Sequence, residues 1–354
     1  MKPLTGLKVL DFSHVIAGPF ATFYLAQLGA EVTKVEKPGG GDVMRGNAKG
    51  ASQFAAFNAG KQCVQIDIQT QEGQAQAMEL ALQADVMVDN FRPGVLAKYG
   101  LGHEAVQARN PKLIFCGISG YGTQYEPWRE RGAYDHVIQA ATGMAMLAGE
   151  PGGPPVKTGF PVVDVMTGVL GAFAVTAAVQ ERQRTGKGQF IDISMWGASL
   201  QLMYPFTVEA MASGMSPPRV GNKGYSGSPA AEYFETTEGW IALGANTAEQ
   251  IVALYGVLGW DKAQAAVDLE RGPGFARARD PQAFRDKLAA RLREKPANTW
   301  EAELNAAGIP AARVRQLGEF TAEAQQLGAL VAEHQTLDGT TVALPGLGWF
   351  SKSV

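Results

Sequence analysis

LKVLDFSHVIAGPFATFYLAQLGAEVTKVEKP, residues 7–38, holds three elements in one short run. LKVLDFS (Leu7 to Ser13) is a brief apolar stretch of β-forming residues. VIAGPFATFYLAQLGA follows with helical spacing and closes at Gly29, and EVTKVEKP is a second strand stopped by Pro38. Strand, helix and strand within about 35 residues make one βαβ unit. The pattern repeats downstream. CVQIDI reads as a strand, QEGQAQAMELALQA as a helix, DVMVDNF as a strand, LAKYGLGHEAVQARN as a helix and KLIFCGIS as a strand. This alternation predicts an α/β fold, a Rossmann-like and mainly parallel sheet with helices on both faces.

The sheet is expected to continue through a long helix from about Asp164 to Arg184, ended by TGKGQ. FIDISM is then a strand and WGASLQLMYPFTVEAMASG a helix. GMSPPRVGNKGYSGSP is rich in Gly, Pro and Ser and reads as a crossing linker. AEYFETTEGWIALGA reads as a hairpin, followed by helices in TAEQIVALYGVLG, PQAFRDKLAARLREK and NTWEAELNAAG, and IPAARVRQLGEF leaves this lobe. A chain of 354 residues is long for one core. The expected division is a large domain over 1–210, a linker over 211–225, a small α+β domain over 226–312, and a return linker with a C-terminal piece rejoining the large domain over 313–354.

The bulk numbers exclude several classes. The formal net charge is −3, so no basic excess exists to neutralise a nucleic acid backbone. The two cysteines, Cys63 and Cys116, form neither a disulfide framework nor a zinc site, and the four histidines have no metal-ligand spacing. The N-terminus lacks a signal-peptide pattern, and the most apolar segment, Val165 to Val179, is interrupted by Thr and Gly and short for a bilayer. A cytoplasmic protein with no metal, no membrane and no nucleic-acid partner is expected. The first strand is followed by SHVIAGPF and not by G-x-G-x-x-G, no Walker A motif exists, and no G-x-S-x-G elbow exists. PGGGD reads as a turn and not as a phosphate cradle.

Three features carry possible chemistry. DNFRPGV (Asp89 to Val95) ends a strand at the edge where parallel sheets bind ligands. Phe91 and Arg92 there suit an adenine or a phosphate, and an ordinary strand-to-helix turn fits equally well. Lys34, Lys37, Lys61, Arg92 and Lys98 lie at or near strand ends, as a site for a polyphosphate tail or as a solvated basic rim. Asp164 is the one carboxylate in TGFPVVDVMTG (Thr158 to Gly168), at the start of an apolar helix. As a helix N-cap it contributes about 1 kcal/mol. As a nucleophile it stays ionised at the helix N-terminus and attacks a carbonyl. Phe160, Val162, Val163, Val165 and Met166 would then exclude water, and Gly159 and Gly168 would admit a substrate. The residues alone leave both roles open. His136, in AYDHVIQA, reads as a packing or capping residue.

The segments LTGLKVLDFSHVIAGPFATFYLAQLGAEVTKVEKPGGGD, DNFRPGVLAKYGL, ISGYGTQYEPWRERGAYDHVIQAATG, VVDVMTGVLGA and RTGKGQFIDISM stand in an order and spacing that resembles the family III CoA-transferases of the CaiB–BaiF type. The resemblance covers nearly the whole chain. It implies that Asp164 is the nucleophile toward an acyl-CoA thioester. It implies that Ile16, Ala17, Lys37, Ile66, Asp67, Asn90, Phe91, Arg92 and Lys98 line a coenzyme A groove, with Tyr134 and Asp135 at the acyl end. The implied partners are an acyl-CoA and a small carboxylic acid, with no cofactor beyond the substrate coenzyme A. It also implies a ring-shaped chain in an interlocked homodimer. Three departures stand out: Ile16 occupies a position where some members carry Gln, no run of consecutive glycines closes over the site, and PGLGWFSKSV ends the chain before a segment common in the family. The same fold serves 2-methylacyl-CoA racemases, which carry a His before the Asp of the AYDHV segment. Tyr134 stands there, and a tyrosine is a poor base near neutral pH, so transfer is favoured over racemisation. A non-catalytic CoA-binding homologue is the third reading.

Overall fold

The computed structural model describes residues 2–46, 50–270, 272–328, 331–335 and 341–349, so 329–330, 336–340 and 350–354 of the expected C-terminal piece lie outside it. The chain divides into two compact units. The first is 1–148, 155–217 and 327–354, and the second is 149–154 and 218–326.

In the first unit β1 (Lys8–Asp11), α1 (Ala17–Gln27), β2 (Glu31–Glu36), α2 (Gly50–Asn58), β3 (Gln62–Gln65), α3 (Gln71–Gln83), β4 (Val86–Asp89), α4 (His103–Arg109), β5 (Ile114–Ser119), α5 (Asp135–Ala141), α6 (Val162–Thr185), β6 (Phe190–Ser194), α7 (Met195–Leu202) and α8 (Tyr204–Ser213) follow in order. The six strands form one sheet in the order β3-β2-β1-β4-β5-β6, and every neighbouring pair is parallel. Strand order reverses between β1 and β4. In a parallel α/β sheet that reversal opens a crevice at the carboxyl edge of the two strands.

Side chains alternate between the two covered faces. Val9, Val86 and Val88 pack with Leu25 of α1 and Val175 of α6 on one side. Leu10 and Met87 pack with Ala77 and Ala81 of α3 on the other. Both faces are buried, which is why these strands read as short apolar runs without polar alternation. Helix α1 meets α6 closely because small residues face each other. A Cβ added at Gly168 would lie 2.8 Å from the Ala17 carbonyl oxygen and 2.8 Å from Phe20 Cβ, and one at Gly171 would lie 3.1 Å from Ala21 Cβ. The bare face of Gly168 is therefore taken by α1 and does not admit a substrate. Among the described residues α6 alone is long and apolar enough to cross a bilayer, longer than the 165–179 stretch suggested. Here it packs on α1, β5 and β6 as a core helix.

Two expected single helices are each split. LAKYG closes a short 3₁₀ turn, Leu96–Tyr99, at Gly100 in the left-handed region, and α4 starts afresh at His103. The segment after β6 breaks at Met203, ahead of Pro205, into α7 and α8.

The second unit has an antiparallel sheet of β7 (Ala230–Glu235), β8 (Trp240–Ala245) and β9 (Ala311–Arg313), with helices α9 (Ala248–Val257), α10 (Ala265–Asp268), α11 (Pro281–Leu292) and α12 (Ala297–Ala306) around Phe234, Tyr255, Leu288 and Trp300. The β7–β8 hairpin is as read from sequence. The AAR of IPAARVRQ, read as an exit, supplies β9 before the chain leaves through α13 (Leu317–Leu327). A final antiparallel pair, β10 (Val331–Gln335) and β11 (Thr341–Pro345), belongs to the first unit, where Leu344 packs with Phe23 and Ala59.

The α1–α6 contact predicts that Gly168→Ala costs about 1–3 kcal/mol through overpacking, even though alanine is favoured in a helix interior by about 1 kcal/mol. Gly159, with nothing within 4 Å of an added Cβ, is the control. Its Ala variant is expected within about 0.5 kcal/mol of wild type. Urea denaturation of both variants checks the contrast.

Candidate active site

The crevice at the β1–β4 reversal is built on a buried ion cluster. Asp11, the last residue of β1, accepts from the Ser13 N–H (2.8 Å), the Ser13 and Thr22 hydroxyls and Lys61 Nζ (3.0 Å). Burial acts to raise the Asp11 carboxyl, but Lys61, Lys34 and the two hydroxyls outweigh it and hold it below its ordinary value. Burial pushes Lys61 down to about 8 against the pull of Asp11. Lys34 Nζ donates to the Ser13 carbonyl and pairs with Asp42 at 3.1 Å. Lys34 and Lys61 are thus fully occupied inside the protein and are no part of a phosphate rim. The PGGGD stretch is a tight turn, with Gly41 at φ +62°, that brings Asp42 inward.

Asp42 and Asn90 then shape the chain between β1 and α1. Asn90 Oδ1 accepts from the His14 N–H (2.8 Å) and its Nδ2 donates to the His14 carbonyl (2.7 Å). Both Asp42 oxygens face the Val15 N–H at 3.3 Å. Val15 sits at φ +68°, a left-handed conformation that is costly for a β-branched residue. The turn aims Ile16 and the first residues of α1 into the crevice.

The nucleophile candidate comes from the first turn of α6. A helix N-terminus leaves backbone N–H groups without intrahelical partners, and the flanking Pro161 offers no side-chain acceptor. Asp135 supplies it from α5: its Oδ2 accepts from the Val163 N–H (2.8 Å) and the Asp164 N–H (3.1 Å). Asp135 is held in turn by Gln139, whose Oε1 accepts from the Thr158 N–H at 2.9 Å. The cap of α6 is therefore Asp135 and not Asp164. With those N–H groups spent on Asp135, the Asp164 carboxylate has no hydrogen bond or ion pair among the described residues. Its half-buried position, and secondarily the charge of Asp135, push it up to about 7.

Ile16, Ala17, Asn90, Phe91, Arg92, Tyr134 and Asp164 line a single cleft of about 330 Å³. The other expected residues lie elsewhere. Lys37 and Lys98 are exposed beyond the ends of β2 and β4. Ile66 is buried in the core cluster against which Phe91 packs. Asp67 forms the turn before α3, accepting from the Gln69 N–H at 3.0 Å, and Asp135 stands behind the cleft wall. Of the expected water-excluding group, Val163 is fully buried, but Phe160 is 59 % exposed. His136 is exposed and outside the cleft lining.

Sequence reasoning missed His14, Val15, Arg129 and Arg131, which line the same cleft. His14 packs on Phe91 with ring centroids 5.2 Å apart, and its Nδ1 is buried without a partner among the described residues. The two arginines stand in PWRERGAYD, just ahead of Tyr134, where charge alternation was the only signal.

Residues 4–353 match the profile of CoA-transferase family III. The chain is 36% identical over 268 residues to a succinate–glutarate CoA-transferase of Agrobacterium fabrum, covering 73% of this chain and 66% of that protein. It is 32% identical over 330 residues to a mouse succinyl-CoA:glutarate CoA-transferase, covering 92% of this chain and 74% of that protein. The crystal structure of a CaiB/BaiF family protein from Brucella suis superposes with a TM-score of 0.84 at 30% identity, covering 99% of this chain and 93% of that one.

A carboxyl raised on folding opposes stability once it ionises. The folded Asp164 titrates near 7 and the unfolded one near the ordinary value of 3.8, so the penalty is absent in acid and complete above pH 7. Asp164→Asn is therefore expected to match wild type near pH 4 and to exceed it increasingly up to pH 7. The plateau is on the order of 1–2 kcal/mol after allowance for solvent screening. Thermal denaturation across that range measures it, and a pH-independent gap between the two proteins excludes the raised carboxyl.

Proposed function

This chain belongs to CoA-transferase family III, and on that premise we propose that it moves coenzyme A from an acyl-CoA to a free carboxylic acid through covalent intermediates on Asp164. The observation that carries the reading is the unpaired Asp164 carboxylate in the cleft at the strand-order reversal. A carboxyl near 7 is a stronger nucleophile than an ordinary one and is still ionised in good part at neutral pH. An Asp164 oxygen attacks the thioester carbonyl, forming an acyl-aspartyl anhydride and expelling the CoA thiolate. The thiolate attacks the aspartyl carbonyl, releasing the first acid and leaving an aspartyl-CoA thioester. The acceptor carboxylate displaces the thiolate to form a second anhydride. The thiolate then takes the new acyl group and frees Asp164. One thioester and one carboxylate are exchanged for another such pair, so the cycle consumes no redox equivalent and needs no cofactor besides the substrate.

Asn90, Phe91 and the turn at Ile16 and Ala17 support a pantetheine path along the β1–β4 edge, and the exposed Lys37 and Lys98 lie farther out, where the phosphates would sit. The same reading pairs two copies of the chain. It draws support from the outer face of α8, which exposes Tyr204, Val208 and Met211. Racemisation is disfavoured because Tyr134 occupies the position of the second base and His136 lies outside the cleft lining.

Peptide mass spectrometry after incubation with succinyl-CoA or glutaryl-CoA tests the reading. An acyl or CoA adduct is expected on the peptide containing Asp164, and Asp164→Asn is expected to abolish both adduct and exchange. The acylation rate should rise with pH through an apparent pKa near 7. Full exchange by Asp164→Asn overturns the covalent route.

A further inference from the structure

The cleft holds three guanidinium groups. Arg92 reaches from the end of β4 toward Gly132, where an added Cβ would lie 3.1 Å from its Nη2. Arg129 and Arg131 come from the loop between β5 and α5, the same loop that carries Gly132. Arg129 is partly neutralised, with Nη1 3.0 Å from Glu126, while its Nε is buried without a hydrogen bond, 3.6 Å from Glu130. Arg131 has no carboxylate partner among the described residues. Its guanidinium lies over the Trp128 ring, 4.9 Å from the centroid. Arg131 is otherwise exposed, and this cation–π contact restrains it while leaving its N–H donors free for a two-point bond to a carboxylate.

None of the three is ion-paired with Asp164 among the described residues; Arg129 faces Glu126 and Glu130, and Arg131 faces Trp128. Two clients are left: a coenzyme A phosphate or a carboxylate on the acyl group. The length of the substrate decides between them. With its thioester at Asp164, coenzyme A places its diphosphate at the far end of the extended pantetheine arm, outside a cleft of about 330 Å³. Cations suited to that end, Lys37 and Lys98, lie outside the cleft. Arg92 and Arg129 also line a neighbouring cavity of about 410 Å³ that Asp164 does not reach, whereas Arg131 lines the nucleophile's cleft and not that cavity, and so faces the acyl end.

Resting on the transfer reading above, we propose that Arg131, with Arg129 beside it, binds the distal carboxylate of a dicarboxylic acyl group whose other end reacts at Asp164. Donor and acceptor acids occupy this cleft in turn. One distal-carboxylate site therefore selects dicarboxylic acids in both halves of the exchange.

The test compares chain-matched substrates that differ only in the distal carboxylate: glutaryl-CoA against pentanoyl-CoA for acylation, and glutarate against pentanoate for release. Wild type is expected to prefer the dicarboxylic member of each pair. Arg131→Gln is expected to lose about ten- to a hundredfold in kcat/KM for glutaryl-CoA and glutarate, the scale of one charged hydrogen-bonded contact. Its loss with pentanoyl-CoA should be much smaller than with glutaryl-CoA, and the Kd of free coenzyme A should not weaken. Arg131→Lys, which keeps the charge and loses the fork, should fall between. Equal losses for both members of a pair, a weakened Kd for coenzyme A, or an unaffected glutaryl-CoA rate each overturn the assignment. An Asp164 adduct that forms without discrimination between the pairs defeats this assignment alone. The absence of any adduct defeats the transfer reading as well.

Discussion

Lys34 has no access to water, and its ammonium joins the end of β1 to Asp42 in the turn after β2. The rest of the crevice depends on that link. Asp42 is thereby presented to the Val15 N–H, and Val15 is held in a conformation that an isolated chain would abandon. From there α1 starts with its first turn aimed at the cleft. Asp11 and Lys61 form the second half of the same cluster and secure the Pro19 carbonyl and Thr22 inside α1. A buried pair of this kind contributes little net stability against well-packed apolar residues. Loss of one member is costly, because it strands a charge with no solvent to receive it. The cluster ties the end of β1, α1, β2, the turn at Asp42 and the start of β3 to one geometry, a task that apolar contacts do less sharply.

A second division of labour operates at α6. Two carboxylates stand near one helix terminus. The one in the preceding helix, Asp135, takes the backbone donors, and the one inside the first turn goes without. The donors that would have made Asp164 an ordinary, strongly acidic carboxylate are consumed next door. The close approach of α1 and α6 at Gly168 and Gly171 then fixes Asp164 one turn away from the surface that α1 presents.

Much of this was legible in the chain. Strand–helix alternation predicts the parallel sheet, and DNFR follows a strand at the edge where such sheets bind ligands. The cations were read less well. Lys34 lies within EVTKVE and Lys61 just before β3, and spacing alone does not show that Asp42 and Asp11 meet them inside the fold. The same limit applies to Gly168, where sequence shows a missing side chain but not which neighbour uses the space. Asp164 remained ambiguous because the residue that decides it, Asp135, lies 29 positions away and meets it only in the folded state. Arg129 and Arg131 sit in a loop without periodicity, so nothing local marks them as part of the lining. Ile66 and Asp67 are marked as groove residues by family resemblance and by no local signal of their own. In the structure their side chains serve the core and a turn.

The order of the chain has a consequence for biosynthesis. Every residue lining the cleft lies at or before Met195, whereas the β10–β11 pair, which completes the first unit, begins at Val331. Translation thus delivers the whole sheet and its nucleophile before residues 218–326 of the second unit. Until β11 arrives, Phe23 and Ala59 of the first unit lack the Leu344 side chain that packs on them. A nascent chain at that stage carries an uncovered apolar patch, the kind of surface that chaperones engage and that promotes self-association when synthesis stalls.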